Sequence, residues 1–210
     1  MKDEKLLLAM AVVAVAVSVL AAGITYFTVA NLVSTITGFG TTGETNLTVE
    51  TLTQVNFTTA SINFQSGRVT PGGSAASLYT IGTGTVTGGN WTAAGGLILQ
   101  NAGNVNVSLN LTADRTATQF IAGTNPAYEW NITNNEANSC LNSSGVGSDF
   151  TYWLNEFYPP NTTVDTGFVC PRFRFEAAND QIRIDINLTI PENSRTGALR
   201  DQINATAYSV

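Results

Sequence analysis

The chain has 210 residues, a formal net charge of −6 and no histidine. Lysine occurs only at Lys2 and Lys5 and the remaining positive charge is scattered arginine, so no basic patch offers itself to nucleic acid. The lack of histidine excludes Ser-His-Asp and Cys-His catalysis, and the two cysteines lie too far apart for the close pairs that zinc sites use.

The first element is a hydrophobic rod. No residue from Leu6 to Gly43 is charged, and Leu6–Val33 is apolar almost throughout. As a helix this run would extend for ~42 Å at ~1.5 Å per residue, more than the ~30 Å of a bilayer's hydrocarbon core. Residues 1–33 therefore read as one long hydrophobic helix, suited to a membrane anchor or to the core of a filament. Ala14, Ser18 and Ala22 recur at four-residue spacing and form a stripe along which helices can approach closely. Residues 34–45 are rich in Gly and Thr and read as a flexible linker.

Residues 46–210 carry strand signals. In Gln181–Ile190, Ile182, Ile184, Ile186, Leu188 and Ile190 fall on one face, with Arg183, Asp185, Asn187 and Thr189 on the other. This strict alternation predicts a half-buried strand ending at Pro191. Asn104–Leu111 alternates in the same way, with Asn106 and Asn110 expected to face solvent. Further strands are expected at Asn46–Phe57, Ser61–Phe64, Ala76–Ile81, Gly95–Leu99, Thr118–Ile121, Ala127–Ile132, Gly167–Phe175 and Leu199–Val210, and no amphipathic helix of any length after residue 45. Short strands separated by Gly/Asn/Pro turns predict a mainly β domain, an antiparallel β-sandwich behind the N-terminal helix.

Ten N-x-S/T sequons begin at Asn46, Asn56, Asn90, Asn106, Asn110, Asn131, Asn142, Asn161, Asn187 and Asn204. Roughly four would arise by chance in this composition, so the excess points to covalent N-glycans on a secreted domain. In such an oxidising compartment Cys140 and Cys170 are expected to pair. Between them lies the one segment with binding character, Phe150–Pro160, which carries Phe150, Tyr152, Trp153, Phe157 and Tyr158. Aromatics at this density mark interfaces or carbohydrate platforms, or else a hydrophobic cluster under a long loop.

A short charged leader, a hydrophobic helix and a sequon-rich β domain together resemble archaeal type IV pilins and archaellins. In those families the leader usually ends in a basic residue followed by Gly or Ala; here Glu4-Lys5 runs directly into Leu6. Residues 46–115 bear a second, vaguer likeness to secreted fibre proteins of the TasA/camelysin kind. The first resemblance implies a structural subunit of an extracellular filament, with helices packed in the core and glycosylated sandwiches outside. It implies self-association, a membrane-inserted state before assembly, a cell-surface location, no cofactor and no enzymatic activity. Two alternatives stay open. One is a helix-anchored adhesion module using the aromatic segment. The other is a fibre or surface-layer subunit joined by strand exchange, with Asn46–Phe57 as the donor strand.

Overall fold

The computed structural model describes residues 10–22, 24, 47–142, 156–163 and 168–210. The chain divides into two compact units, Met1–Thr48 and Val49–Val210.

In the first unit, residues 10–22 form helix α1. Ala, Val and Leu supply good packing surface and no competing polar groups. The hydroxyl of Ser18 donates back to the Ala14 carbonyl at 2.8 Å, an i−4 bond that satisfies it within the helix. Every described residue of α1 is exposed. Among the described residues no helix is long and apolar enough to cross a membrane. Of the expected helix over 1–33 the structure describes residues 10–22 and 24, all helical; the rest of that span and the 34–45 linker lie outside the described residues.

The second unit is mainly β, and among the described residues every strand pairing is antiparallel. Its elements are β1 (Val55–Thr59), β2 (Ala75–Tyr79), β3 (Thr85–Thr87), β4 (Leu97–Asn101), β5 (Val107–Ala113), α2 (Ala117–Phe120), β6 (Ala127–Asn134), β7 (Cys140–Leu141), β8 (Cys170–Phe173), β9 (Gln181–Pro191) and β10 (Ile203–Ser209). The larger sheet runs β1-β4-β9-β2-β3 with β6 on β9, and it curls as a half barrel. The smaller runs β10-β5-β8-β7.

The long strand β9 organises the larger sheet. On one edge it pairs with β4 through Ile184↔Leu97 and Gln181↔Gln100, and further along with β2 through Asn187↔Tyr79 and Pro191↔Ala75. On the other edge β6 runs beside it from Ala127↔Thr189 to Asn134↔Ile182. The alternation legible in Gln181–Ile190 sets its inner face: Ile182, Ile184, Ile186, Leu188 and Ile190 are all buried. They share one core with Trp130, Ile132 and Leu99 of the same sheet and Val107, Leu109, Leu111 and Phe173 of the other. Burying a side chain of this size contributes roughly 1.5–3 kcal/mol, so this layer is the main source of stability.

Four expectations need correction. Asn46–Phe57 is not a single strand: residues 47–54 lie in no strand, and only Val55–Phe57 belong to β1. Thr118–Ile121 is not a strand. It lies across the one-turn helix α2 and its C-cap, set by a capping box in which Thr116 and Gln119 exchange hydrogen bonds between side chain and backbone. Ser61–Phe64 alternates but forms no strand; Ile62 and Phe64 pack on the core from an irregular segment. Strand β9 is also not half-buried. Asp185 and Asn187, expected to face water, are 3% and 8% exposed. Their surroundings are polar, with Thr80 and Arg183 bonded to Asp185 and Glu129 bonded to Asn187.

Candidate functional site

A cleft of about 1330 Å³ lies against the inner face of the larger sheet. Leu78, Leu97, Ile186, Leu188 and Ile190 form its apolar floor, and residues 60–69 and 194–204 its walls. Arg68, Arg195 and Arg200 stand at its exposed rim. The floor follows from the period-two pattern of β9 and its neighbours. The walls are loop, so their side chains have no such constraint.

One wall carries a carboxylate in an unusual setting. Both Oδ atoms of Asp201 are out of contact with solvent and close no hydrogen bond of ordinary geometry. Tyr128, 3% exposed, faces this group. Burial pushes the Tyr128 phenol far above its usual range, with the Asp201 charge adding to the effect. Burial likewise raises the Asp201 carboxyl, partly countered by the neighbouring Tyr128 phenol. The phenol therefore stays protonated. Neither group is poised as a nucleophile. Among the described residues no three His, Cys, Asp or Glu side chains are grouped to hold a metal ion.

A second polar site lies on the outer face of β9. Arg183 Nε donates to both carboxylate oxygens of Asp185 at 2.9 Å. Its Nη2 reaches the carbonyls of Thr80 and Gly82 at 2.8 and 2.9 Å, and Thr80 Oγ1 donates to Asp185 at 2.9 Å. These bonds tie β9 to the chain leaving β2. A side chain at position 96 would collide with them, because a Cβ on Gly96 would stand 2.5 Å from Asp185 Oδ1. The charges here are used up internally, so the cluster is a brace.

Cys140 and Cys170 form a disulfide, as expected, with Cα atoms 5.7 Å apart. It joins β7 to β8 beside the Cys140↔Phe173 pair, and both cysteines are fully buried. The sequons divide by burial. Asn56, Asn90 and Asn204 are exposed, and Asn106, Asn142 and Asn161 half-buried. Asn110, Asn131 and Asn187 are 3%, 6% and 8% exposed. The expectation that Asn110 and Asn187 look outward is thus corrected: a glycan needs its asparagine at the surface, and Asn187 Nδ2 already donates to Glu129 at 2.7 Å. Asn46 lies outside the described residues.

Phe150, Tyr152 and Trp153 also lie outside the described residues. Phe157 stands edge-on to Tyr79 with ring centroids 5.9 Å apart. The backbone of Tyr158 pairs with that of Trp130 in both directions, at 2.8 and 3.0 Å. Tyr158 therefore closes the outer edge of β6 and Phe157 packs on β2, uses that aromatic density alone does not disclose. Ala14, Ser18 and Ala22 all lie on the exposed α1.

No protein-family model, curated protein or solved structure matches this chain. The functional reading therefore rests on residues and geometry. The features that composition did not disclose are the cleft, the Tyr128–Asp201 pair and the way the sheet edges are treated. Each brings together segments distant in sequence, so no local pattern announces it.

Proposed function

We propose that the chain is a structural, non-enzymatic subunit of an extracellular, pilin-like filament on an archaeal-type cell surface. In this reading α1 packs against the same helix of other copies and is membrane-inserted before assembly. The β unit, its sheets packed as a sandwich and its exposed sequons glycosylated, faces outward.

One observation carries the reading. Met10, Val12, Val13, Val15, Val17, Val19, Leu20 and Ile24 are 59–67% exposed. A helix apolar on every side is not stable in water and demands an apolar surround. At roughly 25 cal/mol per Å², covering these side chains supplies a large driving force for association. The stripe of Ala14, Ser18 and Ala22 suits close helix approach, since Ser18 has already satisfied its hydroxyl.

The test is electron microscopy of the native cell surface together with the mass of the mature N-terminus. Filaments built from chains that retain residues 10–24 are expected. Ala14→Phe with Ser18→Phe should abolish filaments while the chain is still made and folded. A mature, freely diffusing monomer that begins beyond Ala22 sinks the reading.

A second reading has an observation of its own. Leu47, Val49 and Leu52 are 84%, 74% and 51% exposed. Such a segment suits strand exchange between copies, with the donor limited to residues ahead of Glu50, because the backbone of Glu50, Leu52 and Gln54 is already bonded to Ala102 and Asn104 and Val55–Thr59 is used as β1. Deleting residues 47–49 would break a strand-exchanged fibre and leave a helix-cored filament standing.

A further inference from the structure

Sheet edges expose unpaired N–H and C=O groups, and proteins protect them with short strands, bulges, charges, prolines or covers. The described edges here are unequal. Strand β3 has three residues and β7 two. Strand β1 slips register between Phe57 and Thr59. The free side of β6 is taken at Trp130 by Tyr158. Strand β10 is long and has no bulge, charge or proline, and β1 passes near it without pairing. Its seven residues, INATAYS, contain no charge and no proline, and they pair with β5 without a slip from Ile203↔Ala113 to Ser209↔Val107. Among the described residues no strand pairs with its other side.

We propose that β10 is an assembly edge, pairing antiparallel with β10 of a second copy about a two-fold axis at Thr206. This goes beyond the helix-based reading and does not depend on it.

The direction of the hydrogen bonds defines what the edge offers. Asp114 N donates to the Gln202 carbonyl at 3.1 Å, so the even-numbered backbone groups of this strand point at β5. Ala113 N donates instead to Asn161, away from β10, as the alternation requires. The N–H and C=O of Ile203, Ala205, Ala207 and Ser209 therefore point to the open side. With the axis at Thr206, Ala205 meets Ala207 and Ile203 meets Ser209 of the other copy. All four residues on each copy are then satisfied, giving roughly eight ladder hydrogen bonds at two per bonded pair. Moving the axis by one residue leaves one end of the ladder unpaired.

Side chains and charge agree with a second copy as the occupant. An isologous edge has to meet its own charges, and in a chain of net charge −6 this strand is neutral. Thr206 faces Thr206, and Asn204 of one copy faces the exposed Tyr208 of the other, with no like charges opposed. The half-buried Ile203, Ala205 and Ala207 continue the core layer across the joint. The edge also runs along the cleft, whose wall includes Gln202, Ile203 and Asn204, so an added strand lies over its mouth.

The experiment is cysteine crosslinking of the full chain at its native surface. Opposed residues of a non-hydrogen-bonded antiparallel pair have Cα atoms ~4.5 Å apart, within the ~4.4–6.8 Å span of a disulfide. Thr206→Cys should therefore shift most of the chain to a dimer on a non-reducing gel after mild oxidation. Tyr208→Cys, which faces position 204, should stay monomeric. Thr206 completes the Asn204 sequon, so Asn204→Gln is introduced alongside Tyr208→Cys to match the loss of that sequon. Adding Ala207→Pro, which removes an outward N–H, should abolish the Thr206→Cys dimer. If that variant is not made as folded protein, Thr206→Lys should lower crosslinking by a cysteine at position 205 paired with one at position 207. No dimer from Thr206→Cys, or equal dimer from Tyr208→Cys, overturns the proposal. Filaments without the crosslink sink the β10 pairing alone; crosslinked dimers on a surface without filaments sink the filament reading alone.

Discussion

Arg183 and Asp185 stand two residues apart on the outer face of β9, and the Arg183 Nε bonds both oxygens of a carboxylate that is only 3% exposed. A buried charge that loses its partner keeps its full desolvation cost, so breaking one side of such a pair typically costs ~3–5 kcal/mol. Arg183 is itself partly exposed, and Thr80 still donates to Asp185. Arg183→Met is therefore expected near the lower end, about 3 kcal/mol, in denaturant unfolding followed by tryptophan fluorescence. A loss below about 1 kcal/mol would show the pair to be no more than an exposed ion pair.

Gly96 depends on the same brace. A methyl at this position meets both Asp185 Oδ1 and the Ile184 carbonyl, at 2.5 and 2.7 Å. Gly96→Ala should destabilise by roughly 1–3 kcal/mol, the usual range for overpacking. The denaturation midpoint reads it. In the background of Arg183→Met the two losses should add only in part, because the clash with Asp185 is shared while that with the Ile184 carbonyl remains.

Removing the Cys140–Cys170 bond by the double alanine variant should lower stability by roughly 2–4 kcal/mol, since the link closes a loop of sequence separation 30. Reduction under native conditions should be slow, because both sulfurs belong to fully buried residues. Unfolding curves with and without reductant check both statements. Fast labelling of the native protein by a thiol reagent after brief reduction would contradict the second.

Asp201 makes stability depend on pH in a defined direction. Its carboxyl is raised, by burial first, so the folded chain holds this proton more tightly than the unfolded chain. The contribution of the site is greatest below the ordinary carboxylate range and declines as pH rises through the raised value. Tyr128, Asp114 and Arg115 are the groups acting on it. Asp201→Asn should therefore raise the denaturation midpoint at pH 7 and change it little at pH 3.5. A midpoint that falls at pH 7 would mean that the charged form is stabilised by the fold.

Glycopeptide mass spectrometry should find sugar among Asn56 and Asn90 and none at Asn110, Asn131 or Asn187. The latter three are under 9% exposed, and attached sugar would force open the strands that hold them. Occupancy at Asn187 would mean that β9 is uncovered on its outer face.

Strands β5 and β9 were legible because their apolar residues alternate with period two, and one inner layer follows from that alone. Strands β3 and β7, of three and two residues, were not, since so short a run shows no period. Helix α2 left only its capping box, Thr116 with Gln119, as a signal. The disulfide followed from the count of two cysteines and the secretory cast of the sequons. The polar face of β9 misled, because alternation tells which residues share a face and not what folds over it.

Composition and period thus determined a mainly antiparallel β unit, its buried apolar rows and an apolar N-terminal segment. These properties depend on residues close in sequence, whose side-chain direction the backbone repeat dictates. Only the tertiary structure decided that Asp185 and Asn187 are enclosed, that Asp201 faces Tyr128 in a cleft, and that β10 stands as a long, uncharged edge. Each of these depends on which distant segments arrive beside a given strand, and on which side of it none of the described strands arrives.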